Sequence, residues 1–127
     1  MDTRNNMIQE NVYTIFLDID GTIMPYHEYF SNTFNGADTL PGTEEKISEW
    51  HSKGYKIILT TGRPEAYRAK TVSQLIALGI IYDQLIMDCG CGPRVVINDK
   101  NPLFPDKPKA RGINLKRNQG ISEVNLD

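Results

Sequence analysis

Short apolar runs rich in β-branched residues recur along this chain with helically spaced segments between them, and that alternation leaves few folds open. VYTIFL (12–17) reads as a continuous buried strand. TEEKISEWHSK (43–53) sets Ile47 and Trp50 at helical spacing, with Thr43 as the expected N-cap and Gly54 as the stop. YKIILTT is a second strand, and EAYRAKTVSQLIAL (65–78) lines up Ala69, Val72, Leu75, Ile76 and Leu78 on one broad face of a second helix. QLIM reads as a third strand, RVVIN as a fourth, and GINL as a fifth at the sheet edge. This order predicts βαβ units: a Rossmann-like three-layer α/β sandwich whose central, mainly parallel sheet is covered on both faces.

With 127 residues the chain fits one domain, 1–127, and is too short for a core domain plus a separate substrate domain. Within it, 1–11 is a polar N-terminal segment and 23–41 a connector expected to form a flap or hairpin. A formal net charge of -2 argues against a general nucleic-acid binder. No stretch reads as a signal peptide or a membrane span, so a cytoplasmic location and no membrane partner are expected. Cys89 and Cys91 read as two thiols in the Gly-rich loop DCGCGP of a reducing compartment; a regulatory disulfide is the alternative. A zinc site is poorly supported, because His27 and His51 lie far off and there is no second cysteine pair.

In open α/β sheets, ligands sit outside the carboxyl ends of the strands. Three strands end there in polar groups: DIDGT, TTGR and NDK. Asp18 and Asp20 are like charges one residue apart, and a bound cation would relieve their repulsion. Thr61, Gly62 and Arg63 supply a hydroxyl, an N–H open to an anion and a guanidinium just before a helix N-terminus. Asn98 and Asp99 complete a site for a phosphate and a hard divalent cation, for which Mg2+ with its preference for oxygen ligands is expected.

DIDGT, TTGR and VIND resemble the first, second and fourth motifs of the haloacid dehalogenase superfamily, most of whose members are magnesium-dependent phosphohydrolases. The resemblance implies that Asp18 is the nucleophile that forms an aspartyl phosphate. It makes Asp20 the general acid and base, with its main-chain carbonyl on the metal. It also implies a phosphate-binding hydroxyl at Thr61, a distal metal ligand at Asp99 and a substrate-binding set of Gly21, Thr22, Thr61, Gly62 and Arg63.

Two departures stand out. The loop MDCGCGP has no lysine for the third, basic motif, which leaves Lys70, the preferred candidate, and Arg94. The fourth motif reads Asn98-Asp99 where many relatives carry two acids. With no room for an inserted cap, the chain resembles the capless branch, short members of which occur in bacterial surface-carbohydrate pathways. That implies a small phosphorylated substrate such as a sugar phosphate, and an open site covered by a bulky substrate or by neighbouring subunits, hence a homo-oligomer. A phosphatase of polynucleotide ends or phosphoproteins, and a non-catalytic phosphate-binding module, are the alternatives. The connector aromatics Tyr26, Tyr29, Phe30 and Phe34, with His27, read as local packing or as a rim for the leaving group. The basic run from Lys100 to Arg117 reads as a solvated surface, and SEVNLD as a loose end.

Overall fold

A computed structural model describes residues 12–26 and 38–127; segment 1–11 and most of the 23–41 connector, including His27, Tyr29, Phe30 and Phe34, lie outside them. Strand β1 (Thr14–Asp18) is followed by helix α1 (Thr43–Ser52) and strand β2 (Lys56–Thr60). A 3-10 turn (Glu65–Tyr67) then leads into helix α2 (Arg68–Ala77), and strand β3 (Gln84–Ile86) follows. The strands lie parallel in the order β1-β2-β3, with Asp18 opposite Thr60 and Thr60 opposite Ile86. All three therefore end level, and the loops that leave them share one edge of the sheet.

The strand order explains where the core lies. Each crossover steps the same way across the sheet, and right-handed crossovers that step the same way put both helices on one face. That face carries Ile15, Leu17, Ile57, Leu59 and Leu85, and it packs against Ile47 and Trp50 of α1 and Leu75 of α2. Burying Ile47 and Trp50 contributes about 2 kcal/mol apiece of transfer free energy. On the opposite face Phe16 is 58% exposed and Ile86 42% exposed. Ile58 of the central strand is nonetheless buried on that face, and the parallel three-stranded sheet with its helices is a Rossmann-like α/β fold.

Several local expectations are corrected. Thr43 is the first helical residue, not the cap. Gly42 caps in the left-handed region, and the Thr43 hydroxyl turns inward to donate to Leu40 O (2.8 Å). In α2 the buried residues are Thr71, Gln74 and Leu75, whereas Ile76 is 72% exposed. The helix is rotated from its most apolar face because a buried cation, Arg63, needs the two polar side chains. RVVIN and GINL form no strand: Val95, Val96 and Ile97 are 78%, 59% and 89% exposed. β-branched residues favour a strand only where an edge pairs with them and a surface covers them, and these residues have neither.

The tail is no loose end. Ile121 and Val124 belong to the core, at 1% and 8% exposure. Ahead of them Asn118 donates its N–H to Gly21 O (2.9 Å) and accepts from Tyr26 N on its side-chain oxygen (2.7 Å). The chain's last residues thus clip the loop that follows β1.

Candidate functional site

The site grows from the tip of β1. The backbone turns back on itself there: Ile19 O accepts the N–H groups of Thr22, Ile23 and Met24, and Gly21 N donates to Met24 O at 2.7 Å. This tight loop keeps Ile19, Ile23 and Met24 wholly buried and presents Asp18 outward. Thr22 Oγ1 donates to Asp18 Oδ2 at 3.1 Å and orients the carboxylate.

Although Asp18 reaches the surface, the loops around it strip part of its hydration. That crowding, with help from the nearby Asp20 charge, pushes its carboxyl above the ordinary carboxylate range; the Thr22 hydroxyl, the Ile19 N–H and the Arg94 charge pull the other way. Arg94 is held by a cradle of carbonyls from its own loop. Its guanidinium donates to Gly92 O at 2.7 Å, Cys89 O at 3.3 Å and Gly90 O at 3.4 Å. Lys70 lies exposed in the first turn of α2. Both candidates for the basic motif are exposed, Lys70 on α2 and Arg94 in the loop after β3.

Arg63 is not a surface anion ligand, which corrects the expectation for TTGR. It is 1% exposed, and its guanidinium grips Asp20 with both Nε and a terminal nitrogen. The other terminal nitrogen donates to Thr71 Oγ1 (3.1 Å) and Gln74 Oε1 (3.0 Å) of α2. A cation so far from water is tolerated because a bidentate carboxylate and polar side chains surround it. Nothing in the local sequence marks Thr71 and Gln74 as its partners; their only signal is polarity inside an amphipathic helix.

Thr61 is also turned inward, at 1% exposure, and its hydroxyl accepts the Arg63 N–H at 3.1 Å. Gly62 remains exposed between them. A Cβ on Gly62 would stand 2.8 Å from Gly90 O, so glycine is what lets the loops after β2 and β3 touch. Thr61 N→Ile86 O (3.0 Å), Cys89 N→Thr61 O (2.9 Å) and Asp88 N→Arg63 O (2.8 Å) lock those loops together.

Asp99 does not join the carboxylates of β1. It sits on the exposed, unpaired segment after RVVI and forms an ion pair with Lys109, which holds its carboxyl below the usual range. No cluster of three His, Cys, Asp or Glu residues occurs among the described residues. The donors at the β1 tip still fit a hard cation in part. Asp18 offers a carboxylate, and Asp20, whose carboxylate is occupied by Arg63, offers its main-chain carbonyl. Magnesium bound through one carboxylate completes its shell with phosphate oxygens and water.

No helix among the described residues is long and apolar enough to cross a membrane. Neither the curated proteins nor the solved structures compared with this chain give a match. A family profile described as haloacid dehalogenase-like hydrolase matches residues 15–86, which span β1, both helices and β3 and amount to more than half of the chain. With paired acids at the tip of β1 and three parallel strands ending level around them, the chain belongs to the haloacid dehalogenase-like hydrolases.

Proposed function

We propose that this chain is a magnesium-dependent phosphohydrolase that cleaves a phosphate monoester through an aspartyl phosphate on Asp18, with a sugar phosphate or similar small metabolite as substrate. The observation that carries the reading is the outward carboxylate of Asp18 at the tip of β1, oriented by Thr22. In the first step an Asp18 oxygen attacks phosphorus, the bond from phosphorus to the alcohol oxygen breaks, and Asp20 passes a proton to that oxygen. In the second, Asp20 takes a proton from water, whose oxygen displaces the Asp18 carboxylate and releases phosphate. Before Asp20 can act as an acid, one of its oxygens has to leave the guanidinium and take up a proton, which the second step returns to it. Magnesium, when bound, supplies charge neutralisation to the phosphoryl group. Lys70 or Arg94 takes the basic role, holding the nucleophile and the phosphate by charge.

A homo-oligomer belongs to the same proposal. A small substrate in an open site needs a neighbouring subunit as cover, and the exposed Phe16 and Ile86 provide apolar surface for assembly. Light scattering tests this, and a monomer shifts the reading toward a macromolecular substrate.

The position of Asp99 favours one other reading, a phosphate-binding module of the same fold without turnover. A panel of phosphate esters, assayed with and without magnesium, separates the two. Magnesium-dependent release of phosphate by wild type, absent in Asp18→Asn, supports the hydrolase. Binding of inorganic phosphate without turnover on any ester selects the module.

A further inference from the structure

Cys89 and Cys91 flank Gly90 in the loop after β3, and the hydrolytic scheme leaves both thiols unused. Both are free; Cys89 is half-buried and Cys91 exposed. The loop is tied to the site by its backbone. The Cys89 N–H donates to Thr61 O, Gly90 O abuts Gly62, and the carbonyls of Cys89, Gly90 and Gly92 cradle Arg94. Gly90, between the two cysteines, takes a positive φ of 75°, and the space beside it is open. A fully extended two-residue step spans about 7 Å, whereas a disulfide joins Cα atoms about 4.4–6.8 Å apart.

We propose that Cys89-Gly90-Cys91 is a redox-active dithiol, which a low-molecular-weight disulfide converts to an intramolecular disulfide, and that closing this bridge loosens the cradle of Arg94. The exposed Cys91 thiolate attacks the small disulfide, forming a mixed disulfide and expelling one small thiolate. The Cys89 thiolate then attacks the Cys91 sulfur and expels the second. Overall, two protein thiols are oxidised to one disulfide and one small disulfide is reduced to two thiols, which carry away the two protons. The link to Arg94 is steric. The two peptide units between Cα of Cys89 and Cα of Cys91 are those whose carbonyls, Cys89 O and Gly90 O, accept from Arg94, and both become part of the closed ring. Rotating them to draw the sulfurs together leaves Gly92 O as the remaining acceptor of the cradle. A ring this small and exposed is also easily reopened by thiols, which makes the change reversible.

The effect on turnover rests on the hydrolase reading, but the bridge does not, so the experiment has separate arms. Full-length protein is incubated with glutathione disulfide and analysed by intact mass and by digestion. The expected product is a monomeric chain lighter by two hydrogens, with the bridge inside one peptide, reversed by dithiothreitol and absent from Cys91→Ser. Persistent glutathione adducts, or disulfides only between chains, overturn the proposal. The second arm follows phenylglyoxal modification of Arg94, which needs no turnover. Faster modification in the bridged form is expected, and an unchanged rate overturns the link to Arg94. Where wild type hydrolyses nitrophenyl phosphate, bridging lowers the rate by about tenfold or more, as expected when a charged group is withdrawn from a reacting centre. Undiminished turnover in fully bridged protein also overturns the link, while failure of every ester in the reduced form counts against the hydrolase reading alone.

Discussion

The guanidinium of Arg63 holds both carboxylate oxygens of Asp20, Nε at 2.8 Å from Oδ2 and a terminal nitrogen at 2.7 Å from Oδ1, and does so with no exposed side-chain surface of its own. One acid of the DIDGT pair is thereby fastened to α2 through Thr71 and Gln74, while Asp18 is left facing outward. The two carboxylates diverge in environment although they share a loop.

Removing one partner of such a pair strands the other. Arg63→Met is expected to destabilise the fold by about 3–5 kcal/mol, because Asp20, Thr71 and Gln74 all lose their shared donor. Arg63→Met combined with Asp20→Leu should cost clearly less than the two single changes added together. Urea unfolding of the four proteins measures this, and simple additivity would show that the pair is not coupled.

The two acids should also separate kinetically. Asp18→Asn abolishes turnover of every phosphate ester, since an amide forms no aspartyl phosphate. Asp20→Asn cannot protonate a leaving oxygen, so it should slow alcohol release from an alkyl phosphate by about 10²–10⁴-fold while sparing much of the nitrophenolate burst. Single-turnover measurements are required because Asp20 also serves the second step. Equal losses with both leaving groups would remove Asp20 from the acid role.

The pH dependence of stability follows from Asp18. Its carboxyl is raised above 3.8 by burial, so between 3.8 and the raised value the folded state holds the proton more tightly than the unfolded chain. The unfolded state then binds fewer protons, and stability falls as pH rises through that window. Asp18→Asn removes this loss. In metal-free buffer the variant should melt above wild type at neutral pH, with the gap closing below pH 3.8. Parallel melting curves across the whole range would contradict the assignment.

Magnesium at millimolar concentration should raise the melting temperature of wild type by mass action and leave that of Asp18→Asn unmoved. Asp99 is paired with Lys109 away from the β1 tip, so Asp99→Ala should keep the shift. Its loss in that variant would mean that residues 94–99 move to the tip when the metal binds.

The tail offers a stability contrast. Ile121 is 1% exposed in the core, and Ile121→Ala should cost about 2–5 kcal/mol. Phe16→Ala, on the open face of the sheet at 58% exposure, should cost about 1 kcal/mol or less. Chemical denaturation ranks the two, and the reverse order would place the tail outside the core.

Periodicity and punctuation are local properties. That is why the sequence by itself determined three strands, two helices, their alternation in a parallel sheet and the carboxylate-bearing tip of β1. DIDGT could be read as a site because adjacent acids at a strand end are chemically conspicuous wherever the strand goes. The direction in which a side chain turns depends on contacts far away in the chain. Arg63 looked like a ligand for anions until Asp20, 43 residues earlier, and Gln74, 11 residues later, closed around it. Arg94 is bound by carbonyls of its own loop, and Ile121 entered the core because Asn118 and Pro41 brought the tail there. RVVI carried every local mark of a strand and paired with nothing, since a strand exists only with a neighbour, and the neighbour is chosen by the tertiary structure.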